Sequence, residues 1–401
     1  MMRRSPFASA PRVSFILPTF NRRDVVVLTV EQIHRCGLAS HEFEVLVVDN
    51  ASSDGTAEAL TSRFPSVQVL CQASNRGSCA KNAALAVARG EFVMFLDDDS
   101  FPEPGSVRQM IGHFDRQPSL GAAVFTVTLP NGSRECSAYP NVCIGCGTGF
   151  RREALREVGG LPEDFFMAAE EYDLSLRLLD AGWGVEPFAD LHVTHLKTPI
   201  SRFPGRIARL DARNNTLLAM RYFPEQWRVP YALEWLDRYR LLSRAGGLTT
   251  AFWSGAVEGV IRGMRTEHRP ICAAAFEQFT RIEETCARLA DATRTYGLRR
   301  LLFADLGKNI LAYRLAARRC GLEVIGIADA RLGDRGLRFR GLPILSDVDA
   351  TPLAFDAVII SNLSPVHASL RARFWRLTQS RPVLDLFAGD RASCIASRAA
   401  A

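Results

Sequence analysis

The chain predicts an α/β fold on three observations: apolar, strand-like runs recur along it, helix-like segments separate them, and one run stops abruptly on adjacent carboxylates. Val13 to Asp24 (VSFILPTFNRRD) reads as a strand ending in a polar turn, and Phe43 to Thr56 (FEVLVVDNASSDGT) repeats the pattern. Asn75-Arg76-Gly77 opens a further helix carrying Lys81 and Asn82. The run Phe92-Val93-Met94-Phe95-Leu96 then ends on Asp97, Asp98 and Asp99. Together these segments make a βαβαβαβ series, an arrangement that binds ligands beyond the carboxyl ends of its strands.

Three stacked carboxylates repel one another unless a cation binds them. Mg²⁺ or Mn²⁺ carrying a diphosphate is the natural partner, since hard divalent cations share their coordination between one or two carboxylates and phosphate oxygens. The alternative is a solvated acidic turn. If the strand continues, Asp97 and Asp99 point the same way and Asp98 the other. A second carboxylate cluster, Glu170-Glu171-Tyr172-Asp173, opens an amphipathic helix in which Leu174 and Leu178 share a stripe with Glu171. Asp173 and Arg177 are spaced for an i,i+4 ion pair. Asp49 closes the second strand, and Asp54 is placed to cap the helix after it.

Seven segments, PTFNRR, VVDNASSDGT, NRGSCAKN, FLDDDS, GTGFRREALREVGGLPEDFF, EEYDLSLRLLDAGW and ARNN, run in order to about residue 215. In that order they resemble the family-two inverting glycosyltransferases of the GT-A fold, and ARNN with the following RYFP is similar to the rhamnosyltransferase-like members. The resemblance implies a metal-dependent enzyme that moves a hexosyl or deoxyhexosyl group from a nucleoside-diphosphate sugar. It places Thr19, Asn21, Asp49, Asn75, Gly77, Lys81, Asp97 and Asp98 on the donor, with Asp97 facing the ribose. Asp99, Asp97 and His195 become the metal site, His195 otherwise being structural. Glu171 becomes the general base where the family usually has aspartate, with Glu170 assisting or capping. A lysine at position 81 keeps the charge of the family's usual arginine without its planar fork. The acceptor implied is a glycan or lipid-linked glycan of envelope or surface polysaccharide synthesis.

The rest of the 401 residues divides further. Residues 1–11 read as a disordered lead-in with no apolar core of a secretory signal, 12–200 as the catalytic domain, and 201–296 as a helical extension. Residues 297–401 read as a Rossmann-like α/β domain in which strand, turn, helix and strand run from Leu301 to Asp329. Its turn, Asp305-Leu306-Gly307-Lys308-Asn309, keeps one glycine where G-x-G-x-x-G has three, which predicts a degenerate nucleotide site.

No stretch reaches the roughly 18 apolar residues of a membrane span. Ten cysteines without a paired framework fit a reducing cytoplasm, and Cys136, Cys143 and Cys146 lack the second pair or nearby histidine that a zinc site needs. Between Arg202 and Arg300, 17 arginines stand against 10 acidic residues. Tyr231, Trp235 and Tyr239 recur there at helical spacing, either as core or as an interfacial face allowing peripheral membrane contact at the inner leaflet. The excess is too modest, and too bare of any recognised module, for nucleic acid. A nucleotidyltransferase would need a glycine-rich arginine loop where PTFNRR stands, and a silent nucleotide or glycan sensor is the other alternative class.

Overall fold

The computed structural model describes residues 10–198 and 203–390, so most of the expected lead-in lies outside the described residues. The described residues form two compact units, one holding 10–135 together with 141–198, the other holding 136–140 and 203–390.

The first unit follows the predicted alternation. β1 (Val13–Thr19), α1 (Arg23–Ile33), β2 (Phe43–Asp49), α2 (Thr56–Arg63), β3 (Gln68–Cys71), α3 (Lys81–Val87) and β4 (Phe92–Phe95) form its nucleotide-type half. β5 (Ser100–Pro102), α4 (Ser106–Arg116), β6 (Leu120–Thr128), β7 (Arg134–Glu135), β8 (Thr148–Arg151), α5 (Arg152–Val158), α6 (Glu170–Asp180) and β9 (Gly184–His195) complete it. The sheet has nine strands in the order β3-β2-β1-β4-β8-β6-β9-β5, with β7 on β6. β3, β2, β1 and β4 are parallel, and β8 inserts antiparallel beside β4. Because both faces of the parallel strands are covered, β1, β2 and β4 are apolar almost throughout. Phe15, Val45, Val47, Phe92 and Met94 meet Val26, Val30 and Met110 of the helices in one core.

β4 ends at Phe95, and Asp97–Asp99 lie in the turn before β5. Asp97 and Asp99 nevertheless converge on one side while Asp98 turns to Thr19 and Arg22, the division that alternation predicts.

In the second unit α7 (Pro204–Tyr222), α8 (Glu225–Ala245), α9 (Thr249–Arg265), α10 (Ala273–Thr280) and α11 (Ile282–Tyr296) precede a sheet. That sheet is built by β10 (Arg300–Ala304), α12 (Ile310–Arg319), β11 (Glu323–Ala328), β12 (Arg338–Phe339), β13 (Leu342–Leu345), α13 (Asp347–Ala350), β14 (Ala357–Ile360), α14 (Pro365–Thr378) and β15 (Val383–Leu384). Its order is β12-β13-β11-β10-β14-β15, and the five strands from β13 to β15 are parallel. Counted among themselves these five lie 3-2-1-4-5, the order of a doubly wound nucleotide-type sheet.

The expected boundary near residue 296 does not separate compact units, since the helices and the sheet belong to the same one. Trp235 Nε1 donates to the Lys308 carbonyl at 3.0 Å, Arg238 Nε to the Leu306 carbonyl at 2.9 Å, and Arg314 pairs with Glu234 at 2.7 Å. The α8 aromatics are core: Tyr231 and Trp235 are buried and pack edge-to-face with Phe223. Burial of these rings selects core from the two readings of that stripe, because the side chains that would enter lipid already fill protein.

Candidate active site

The turns at the carboxyl ends of β1, β2 and β4 bring the predicted donor residues to one edge. Asn21, held at φ +52°, accepts a hydrogen bond from Ser53 N at 2.8 Å and so ties the first turn to the second. Asp49 accepts from Ser52 N at 3.0 Å, and Asp54, one residue before the N-cap Gly55, takes the first N–H of α2 at Thr56 together with the N–H of Arg23. Asn75 accepts from Gly77 N at 2.8 Å. Gly77 has φ +62°, and a Cβ there would stand 2.0 Å from the Phe166 carbonyl oxygen, so only glycine lets the two loops meet.

Each aspartate of the triplet has its own partners. Asp97 is the most open and accepts from Lys81 Nζ at 3.2 Å. Asp98 is buried, accepts from Thr19 Oγ1 at 2.9 Å and pairs with Arg22 at 2.7 Å. Burial pushes its carboxyl up to about 7, with Asp99 adding to the shift and Arg22 opposing it. Asp99 accepts from Arg22 at 2.8 Å and from Thr198 N at 2.9 Å, all on Oδ2. Although burial opposes it, this set of donors with His195 holds the Asp99 carboxyl far below its usual range.

The other Asp99 oxygen faces His195. Nε2 of that ring lies 3.2 Å from Asp99 Oδ1, off the line of a hydrogen bond, and this buried nitrogen has no hydrogen-bond partner. Nδ1 is 2.6 Å from Glu135 Oε2, and Lys197 in turn binds the other Glu135 oxygen at 2.5 Å. Burial pulls the imidazole pKa down, but Asp99, Cys146 and Glu135 outweigh it and push it up to about 12. The donor atoms of Asp97, Asp99 and His195 all lie within 4.8 Å of one another. Two carboxylate oxygens and an imidazole nitrogen suit a divalent ion such as Mn²⁺, which would take the place of the proton that Asp99 now holds on Nε2, so these residues fit the metal that the sequence implies. A second cluster, Glu135, Cys146 and His195, fits less well. Burial pushes the Cys146 thiol up to about 11, which keeps it neutral rather than a thiolate ligand. Cys136 and Cys143 belong to neither cluster among the described residues.

Lys81 links this edge to the second pair of carboxylates. Its side chain is buried, contacts Asp97, donates to the Gly145 carbonyl at 2.8 Å and lies 5.5 Å from the Phe95 ring centre. Lys81, Ser78, Gly145, Glu170 and Glu171 border one small cavity of about 10 Å³, enough for roughly one water. A side chain at Gly145 would approach Glu171 Oε1 to 3.2 Å, so the glycine leaves room before that carboxylate. Glu170 and Glu171 begin α6 directly after Ala168 and Ala169, both at positive φ (+67° and +65°). Two non-glycine residues in the left-handed region store strain at the place where the carboxylates are presented. Burial first, then repulsion from Glu170, raises the Glu171 pKa well above the ordinary carboxylate value. Glu170 Oε2 is buried without a hydrogen-bond partner. Asp173 pairs with Arg177 at 2.6 Å as its spacing predicts.

Arg22, Glu135 and Thr198 complete the site. Arg22 stands in PTFNRR, where the sequence leaves open whether it or Arg23 meets a phosphate or is simply solvated, and here it pairs with Asp98 and Asp99. Glu135 and Thr198 carry no motif, and nothing in their spacing points to His195 or Asp99.

The family model for Glycosyl transferase family 2 matches residues 14–139, the stretch holding β1 to β7 and the aspartate triplet. That stretch is thus similar to a family-two glycosyltransferase domain. It is 27% identical over 234 residues to the "Pre-mycofactocin glycosyltransferase" of Mycobacterium tuberculosis, covering 48% of this chain and 49% of that one. It is 26% identical over 252 residues to the "N-acetylglucosaminyl-diphospho-decaprenol L-rhamnosyltransferase" of the same organism, covering 50% of this chain and 81% of that one. The match thus spans about half the length of the first of these relatives. Among solved structures, the mannosyltransferase PcManGT from Pyrobaculum calidifontis, in complex with GDP-Man and Mn²⁺, aligns with a TM-score of 0.45 and 20% identity. That alignment covers 78% of this chain and 87% of the other.

Proposed function

We propose that the chain is a metal-dependent, inverting glycosyltransferase that moves a hexosyl or deoxyhexosyl group from a nucleoside diphosphate to an acceptor hydroxyl. The observation that carries this reading is Lys81. It touches Asp97 of the three-donor cluster and borders the same space as Glu171, so a metal-binding set and a high-pKa carboxylate stand side by side. A divalent cation held by Asp97, Asp99 and His195 would neutralise charge developing on the departing diphosphate.

The chain's own residues supply the rest. Thr19, Asn21, Asp49, Asn75, Gly77, Asp97 and Asp98 form the donor edge, and Arg22 fixes Asp98 and Asp99 in place. Glu171 takes the acceptor proton while the acceptor oxygen bonds to the anomeric carbon and the bond to the diphosphate breaks, giving inversion in one displacement. Its raised pKa suits a base that works near neutrality. Glu170 keeps that pKa high by charge. The relative named for N-acetylglucosaminyl-diphospho-decaprenol supports a glycan or lipid-linked glycan acceptor in surface polysaccharide synthesis, with the protein working at the cytoplasmic face of a membrane.

Incubation with a panel of nucleoside-diphosphate sugars and Mn²⁺ tests the reading. Release of nucleoside diphosphate is the expected result. Release of pyrophosphate would make the chain a nucleotidyltransferase, and ligand binding without release of either would make it a sensor.

A further inference from the structure

In α9, Gly255, Gly259 and Gly263 face α7 so closely that a Cβ on them would stand 2.0, 2.9 and 3.0 Å from Arg209, Arg213 and Met220. The opposite side of the helix is apolar as well. Trp253, Val257, Val260, Ile261 and Met264 recur at i, i+4, i+7, i+8 and i+11, which puts them on one face. Each is between 41% and 76% exposed. A helix apolar on both sides is ordinarily covered on both sides. No helix among the described residues is long and apolar enough to cross a membrane, so this face cannot belong to a span.

Charge distinguishes the candidate covers. α7 and α9 together hold six arginines against Asp211 and Glu258. Glu258, the one acidic residue of α9, is bound by Arg209 at 2.6 Å, Arg213 at 3.2 Å and Arg262 at 3.4 Å. Exposed Arg265 lies beside the stripe, one residue after Met264. A second copy seated on this face would bring one arginine-rich surface against another. An anionic lipid surface offers the complementary charge, and a tryptophan within an apolar stripe bordered by arginines is the composition of an interfacial helix.

We infer that the exposed face of α9 is a membrane-docking surface, entered by Trp253, Val257, Ile261 and Met264 and directed to anionic lipid by exposed Arg265 at its edge. This locates the membrane contact of the proposed lipid-linked reading on a helix other than the one its sequence suggests. Docking can be measured without turnover, so failure of either proposal is visible by itself.

Flotation of the full chain with vesicles of phosphatidylglycerol and phosphatidylcholine, against phosphatidylcholine alone, is the test. The protein should float with the anionic vesicles and be released by high salt. The pair Trp253→Ser and Ile261→Ser should weaken binding by about tenfold or more, as loss of buried apolar area requires. Arg265→Glu should weaken it in low salt only. Unchanged melting curves would show that the variants fold. Failure to float, or flotation indifferent to all three substitutions, would overturn the inference. So would a dimer in light scattering that Trp253→Ser and Ile261→Ser dissociate, since the face would then belong to a second copy.

Discussion

Glu135 Oε2 lies 2.6 Å from His195 Nδ1, so the ring nitrogen opposite, Nε2, is turned toward Asp99 and Asp97. A carboxylate behind a histidine fixes the orientation and tautomer of the ring and raises its basicity, as in histidine ligands to metals generally. With Lys197 on its second oxygen, Glu135 is itself held in place. Glu135→Gln should weaken Mn²⁺-dependent donor binding by about 10- to 100-fold. Titration calorimetry with Mn²⁺ and donor checks this, and an unaltered affinity would mean that His195 is oriented by other contacts.

Asp97→Asn should abolish metal-dependent donor binding with little effect on folding, since Asp97 is the most open of the three and its one ion pair is with Lys81. Asp99→Asn should do the same and also lower the melting temperature, because Asp99 gathers Arg22, Thr198 and His195. Equal melting temperatures for the two variants would contradict the structural part of that role.

Removing the proton acceptor with Glu171→Gln should lower kcat by about 10²- to 10⁴-fold while leaving donor affinity almost unchanged. Glu170→Gln should act more mildly. It removes the charge that helps raise the Glu171 pKa, so the acidic limb of the rate profile should move to lower pH. If Glu170→Gln proves far more damaging than Glu171→Gln, the base is Glu170.

Lys81→Met works in the other direction. The lysine cation favours the ionised form of both glutamates and so lowers their pKa values. Its loss raises them, and because a base must be deprotonated to act, the acidic limb of kcat should shift to higher pH. A pH profile of the variant with an unmoved limb would show that Lys81 does not act on Glu171.

In the second unit, full-length protein should show no NAD or NADP binding by calorimetry. The turn at residues 305–309 is occupied by contacts to Trp235 and Arg238, and Asp329 spends its oxygens on the N–H groups of Leu306, Arg331 and Leu332. Truncation near Asp291 should yield insoluble protein rather than a working core. The cut falls inside α11 and strips the sheet from helices whose rings and ion pairs rest on it. Micromolar NAD binding, or a soluble active fragment, would contradict this account.

Much of this protein was legible in its residues because local rules sufficed. Strand runs buried on both faces are apolar without interruption, and carboxylates at their ends mark the ligand edge, so β1, β2, β4 and the aspartate triplet could be placed by pattern alone. The Asp173–Arg177 pair and the Asp54 contact with the Thr56 N–H depend only on short spacing. Tertiary structure decided the remainder, because long-range contacts leave no periodic trace. Glu135 reaches His195 across 60 positions, Arg22 reaches Asp98 and Asp99 across more than 70, and neither partner announces the other. Alternation puts Asp97 and Asp99 on one side, but only the fold brings His195 to them. Helical spacing marks a stripe equally well on α8 and α9, yet packing buries the first and exposes the second. Periodicity defines a face, and only the neighbours that fold against it determine whether that face becomes core or surface.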